Sequence, residues 1–84
     1  MSWRVEVQRP AEKELANFSA QARERITEAL RAMVENPFPQ GFKKLKGSDG
    51  YRIRVGDYRV LYRVDHAAQI VRVGVIGHRK DVYR

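Results

Sequence analysis

Gly56-Asp57 joins two runs in which apolar and polar residues alternate, Tyr51–Val55 and Tyr58–Asp65. A two-residue link with glycine first closes as a type II′ hairpin, and such a link sets the register of both strands. Val55 then opposes Tyr58, Arg54 opposes Arg59, Ile53 opposes Val60, Arg52 opposes Leu61 and Tyr51 opposes Tyr62. One face carries Tyr51, Ile53, Val55, Tyr58, Val60 and Tyr62 and has to be covered. The other carries Arg52, Arg54, Arg59 and Arg63. Like charges directly opposite one another in a ladder are unfavourable, by a few tenths up to about 1 kcal/mol per pair. No acid shares that face before Asp65, so it reads as a site for an anion. Arginine suits the task, because its planar fork grips phosphate in bidentate fashion and keeps its charge at neutral pH. The plainer reading is a solvated sheet face.

The rest of the chain supplies the cover. Trp3, Val5 and Val7 alternate with Arg4, Glu6 and Gln8, as in a half-buried strand. Pro10 suits a first helical turn, where its missing N–H would be unpaired anyway. Ala11–Asn17 reads as a short helix with Leu15 and Phe18 toward the core, and Ser19 can cap a second helix from Ala20 to Glu35. Ala22, Ile26, Ala29/Leu30 and Met33 form the packing stripe of that helix. Asn36-Pro37 ends it, since a residue before proline avoids the helical region. Residues 37–50 read as a loop, and Ile70–Ile76 as a last, β-branched strand. Val71, Val73 and Val75 are expected on its core side, with Arg72, Gly74 and Ile76 on the open side. Gly74 either leaves room for a ligand or marks a bulge. Residues 77–84 read as a basic tail. The expected class is α+β: an N-terminal strand, then a two-helix hairpin packed on one face of a small antiparallel sheet completed by a three-strand meander. A chain of 84 residues builds one compact core, so a single domain spanning 1–84 is expected.

Charge and composition narrow the function. Residues 1–40 hold six basic and six acidic side chains, whereas residues 41–84 hold eleven basic and four acidic ones, the whole net charge of +7. Such asymmetry favours a polyanionic partner, RNA, DNA or an acidic protein, although it also serves solubility. With no cysteine there is no disulfide framework, thiolate nucleophile or zinc knuckle. No His/Asp/Glu cluster has metal-ligand spacing, so neither metal nor cofactor is expected. The start of the chain carries no apolar run like a signal peptide, and no stretch has the length of a membrane span. The expectation is a soluble, cytoplasmic protein with no membrane partner. His78 lies in the basic tail, where a lone histidine is more often a surface residue than a catalyst, and His66 reads as surface.

The stretch Tyr51-Arg52-Ile53-Arg54-Val55-Gly56-Asp57-Tyr58-Arg59-Val60-Leu61-Tyr62, followed by Ile76-Gly77-His78-Arg79-Lys80-Asp81-Val82-Tyr83, resembles the RelE branch of the RelE/ParE toxin superfamily. Lys44-Leu45-Lys46-Gly47 before the hairpin is also typical of it. The resemblance covers essentially the whole chain; its C-terminal half is fairly specific and its helical half generic. It implies a toxin of a type II toxin–antitoxin system, an mRNA interferase that enters the ribosomal A site and cuts mRNA there by metal-free transphosphorylation. Its implied partners are a cognate acidic antitoxin, the ribosome and mRNA, with operator DNA reached only through the antitoxin. The family's functional positions fall on Arg52 and Arg54, on Arg59, on Arg79 after the Gly-His pair, and on Tyr83. The best-known members carry lysines where Arg52 and Arg54 stand. Arginine is a poor general base, so these two would clamp the phosphorane and leave proton transfer to Tyr83 or His78. Tyr83, one residue from the end of the sequence, is expected to be mobile in the free protein. Lys43, Lys44, Lys46 and Lys80 are candidate RNA or ribosome contacts. Two other readings stay open: a non-enzymatic ParE-like toxin that binds DNA gyrase, and a general RNA-binding module. Against the last, Tyr51, Tyr58 and Tyr62 have core parity, so the open face lacks aromatics for base stacking.

Overall fold

The computed structural model describes residues 2–78; Arg79, Lys80 and Tyr83 lie outside the described residues. The chain runs β1 (Arg4–Val7), α1 (Arg9–Ala16), α2 (Ala20–Met33), β2 (Lys43–Lys44), β3 (Tyr51–Val55), β4 (Tyr58–Asp65) and β5 (Ile70–His78). These strands form one sheet in the order β1-β5-β4-β3-β2. The α+β arrangement read from the sequence is the one found, with two refinements. β1 joins the sheet by parallel pairing with β5, Val5 beside Val71 and Glu6 beside Arg72. Within the stretch read as a loop, Lys43–Lys44 pairs antiparallel with β3 and becomes an edge strand.

Local chemistry accounts for the elements. Pro10 sits in the first turn of α1, and the Ser19 hydroxyl accepts the Ala22 N–H at 3.2 Å to cap α2. Gly56 has φ +61, the left-handed value that the first position of a II′ link demands, and Asp57 has no positive φ. The hairpin register is the expected one at every pair from Tyr51↔Tyr62 to Val55↔Tyr58.

The two helices cover one sheet face. Ile26 and Met33 of α2, Val60 of β4 and Val71, Val73 and Ile76 of β5 lose all exposure in one cluster. Tyr62 is buried with them, and its hydroxyl donates to the Pro37 carbonyl at 2.7 Å. That bond ties the segment after α2 to the middle of β4. Burial, and then the neighbouring Tyr51, push the Tyr62 pKa from 10.0 up to about 12. Among the described residues no helix is long and apolar enough to cross a membrane.

The last strand departs from the expected parity. Leu61 pairs with Val75 but Tyr62 pairs with Val73, so Gly74 is an extra residue, a β-bulge. Alternation restarts after it. Ile76, expected on the open face, is fully buried, and Val75, expected in the core, is 46% exposed. A period-two pattern cannot show an inserted residue inside a run of β-branched side chains, since either phase reads as apolar.

Candidate functional site

The face of the sheet away from the helices carries the candidate site. Arg54 and Arg59 are directly opposed across the hairpin, and Lys43 is opposed to Arg52 one strand further out. Strand alternation puts all four on the same face. Arg54 and Lys43 are exposed, while Arg52 and Arg59 are half-buried and the Arg59 Nε is enclosed. β2 therefore carries the cationic surface to the edge of the sheet. Lys44 stands opposite Tyr51, on the other parity, and Lys46 follows in the exposed loop, so the three lysines diverge.

The opposite end of the same face is charge-balanced. Glu6 lies 3.2 Å from Arg4 and 3.7 Å from Arg72, and Arg72 is 3.5 Å from Asp65. The Ala68 N–H donates to the Asp65 carboxylate at 3.0 Å; that bond first, and Arg72 after it, hold Asp65 below the ordinary carboxylate range. Arg63 and Arg72 are opposed just as Arg54 and Arg59 are, and Arg72 has Glu6 and Asp65 beside it. Sequence reasoning placed Arg72 on this face and missed Glu6 as its counter-ion. Only the parallel pairing of β1 with β5 brings Glu6 there.

Beside Arg63 and Arg72 lies a depression of about 470 Å³ whose apolar lining is Leu45, Leu61 and Val75. The pairing of Leu61 with Arg52 already puts Leu61 on this face, whereas Val75 reaches it only through the Gly74 bulge. A Cβ built on Gly74 would meet nothing within 4 Å, so the space above the bulge is open.

His78 is not brought to the arginines. It is paired with Tyr58, and its ring lies 5.7 Å from the Tyr58 ring, edge to face. Tyr58 in turn packs on Phe18, 4.6 Å away, on the helix-covered side. Arg79, Lys80 and Tyr83 lie outside the described residues. His66 is exposed, as read, with its ring between Trp3 at 5.7 Å and Phe38 at 6.0 Å. Among the described residues no group of three or more His, Cys, Asp or Glu side chains is placed to hold a metal ion. What the arrangement can do chemically is hold an anion: fixed guanidinium groups on a sheet suit the phosphodiester of a nucleic acid or the carboxylates of an acidic protein.

Comparisons with known proteins point the same way. The family model for the ParE toxin of the type II toxin–antitoxin system parDE matches residues 5–83. A curated protein of Methanocaldococcus jannaschii named "Putative toxin RelE1" is 31% identical over 88 residues, covering 100% of this chain and 98% of its own length. Among solved structures, the archaeal RelE–RelB complex of Pyrococcus horikoshii contains a chain similar to this one with a TM-score of 0.86 and 27% identity, covering 98% of this chain and 100% of that one. The intact E. coli RelBE toxin–antitoxin complex contains another, with a TM-score of 0.80 and 26% identity over 92% of this chain and 96% of that one.

Proposed function

We propose that this chain, which belongs to the ParE toxin family of type II toxin–antitoxin systems, is an endoribonuclease that cuts mRNA on the ribosome. One observation carries the reading: Arg54 faces Arg59 across a hairpin, on an open sheet face, with Arg52 and Lys43 alongside. A binding module could place its cations anywhere on the surface. Opposed guanidinium groups on a rigid ladder present donors to one anion from two strands at once, already in place before the anion arrives.

The reaction is transphosphorylation. The ribose 2′-oxygen attacks the adjacent phosphorus, the bond from phosphorus to the 5′-oxygen breaks, and the products carry a 2′,3′-cyclic phosphate and a 5′-hydroxyl. Arg52, Arg54, Arg59 and Arg79 stabilise the charge that develops on the phosphorane. Tyr83 takes the proton role, because His78 lies against Tyr58 on the other side of the sheet. Lys43, Lys44, Lys46 and Lys80 contact ribosomal RNA, adding affinity that falls as salt rises. No metal or cofactor enters this chemistry. The antitoxin is an acidic segment that neutralises the arginine face, as suits a toxin of net charge +7. Relatives of this chain are toxins solved with RelB antitoxins, and operator DNA would be met only through that partner.

The match to the ParE family model favours a second reading, a non-enzymatic toxin that binds DNA gyrase. Primer extension on mRNA translated in a purified system, with and without ribosomes, separates the two. New 5′ ends that appear only with ribosomes support the ribonuclease. Intact mRNA together with arrested gyrase supercoiling supports the second reading.

A further inference from the structure

The depression in the middle of the open face is built unlike the arginine cluster beside it. Its apolar lining is Leu45, Leu61 and Val75, and its polar lining is Gln8, Ser48, Arg63 and Arg72. At about 470 Å³ it falls within the size range of small-ligand sites, which pair an apolar lining with a few orienting polar groups. The bulge at Gly74 creates it, by turning Val75 outward opposite Leu61.

The charges on either side say what covers it. Along β4, Arg59, Leu61 and Arg63 share one face at steps of about 6.5–7 Å. An apolar seat thus lies between two cations on one strand. A strand of RNA has the matching pattern, an aromatic base between two phosphates. We propose that this shelf seats one nucleobase of the RNA strand whose phosphate is held by Arg54 and Arg59. The base lies on Leu61 and Val75, Arg63 reaches the second phosphate, and Gln8 and Ser48 meet the polar edge of the base. Ser48 Oγ accepts the Gly50 N–H at 3.0 Å, which leaves its own hydroxyl proton to donate. The shelf would select which base stands beside the cut, whereas the arginines act on any phosphate. This inference rests on the ribonuclease reading for its consequence in cleavage, but base binding can be observed without cleavage.

The test uses the full chain with labelled leucine and valine methyl groups. A trinucleotide RNA with a 2′-deoxy central ribose, which lacks the attacking oxygen, is titrated in. The methyl signals of Leu61 and Val75 should shift along the same saturation curve as the Arg54 and Arg59 side-chain N–H signals. In parallel, Val75→Ser and Gln8→Ala are tested on a library of mRNAs. Each should change the ratio between preferred and next-preferred cut sites by about tenfold, the scale of one lost base contact. A uniform loss of rate would leave that ratio alone. Silent methyls beside shifted arginines, or unchanged site ratios, would overturn the shelf. So would methyls that answer only to an acidic apolar peptide, since the occupant would then be a protein. If the wild-type chain cuts no RNA but the trinucleotide moves the methyls, the shelf stands and the ribonuclease reading falls.

Discussion

The two faces of the sheet are made from the same strands and obey opposite rules. On the helix side, Ile53, Val60, Tyr62, Val71, Val73 and Ile76 are packed into one cluster with Ile26 and Met33. Every side chain there lowers the free energy of folding. On the open side, the hairpin sets Arg54 against Arg59, and the bulge turns Val75 to solvent. Neither feature lowers the folding free energy. The stable face permits the strained one, which is the trade expected where a protein holds a functional site. Even within the open face the composition varies. The β1 end sets Arg72 beside Glu6 and Asp65, and the hairpin end gathers Arg52, Arg54, Arg59 and Lys43.

The largest expected effect tests the covered face. Ile26→Ala removes a fully buried side chain from the centre of the cluster and should cost about 2–5 kcal/mol. In a domain this small that lowers the melting temperature by roughly 10–30 °C. At a temperature where the variant is still folded, arginine-dependent activity should be retained. If activity is lost while the fold is intact, the faces are coupled and the comparison breaks.

Arg54→Thr tests the open face. Arg54 is exposed, and threonine suits a strand. Removing the like-charge opposition to Arg59 should leave the melting temperature unchanged or slightly raised. Single-turnover cleavage should fall about 100- to 1000-fold, the typical loss of one preorganised donor. A thermal melt and a cleavage assay on one preparation decide it. A lower melting temperature with full cleavage would make Arg54 structural.

The next effect sharpens the comparison through pH. The folded state favours the protonated Tyr62 phenol, because its pKa rises from 10.0 to about 12. The stability this gives is fully present below pH 10 and is lost as the pH climbs from 10 toward 12. The total is about 2–3 kcal/mol. Urea midpoints across that window should fall more for the wild type than for Tyr62→Phe, which has no proton to lose. Equal slopes would mean that the phenol is not the group that burial holds neutral.

The smallest effect lies at the balanced end. Glu6→Gln removes two partly exposed ion pairs, to Arg4 and Arg72, and should change stability by less than about 1 kcal/mol. It also frees Arg72 to act on polyanions. Affinity for a short RNA should rise slightly, with a steeper dependence on salt. An unchanged salt slope would show that the RNA path stops short of β5.

The elements and the hairpin register were legible in the sequence because both depend on residues close along the chain. Pro10, Ser19, Gly56 and the stripe Ala22, Ile26, Leu30 and Met33 each act through neighbours within a turn or a ladder step. The opposition of Arg54 and Arg59 follows from a two-residue link alone. Three features were decided only by the tertiary structure. Parallel pairing of β1 with β5 joins strands that no short turn connects, so nothing local announced that Glu6 would meet Arg72. The edge strand at Lys43–Lys44 gains its order from β3 and not from its own residues. The bulge at Gly74 reverses which of Val75 and Ile76 is buried, because a strand rich in β-branched residues fits a core in either phase and only the partner strand chooses between them.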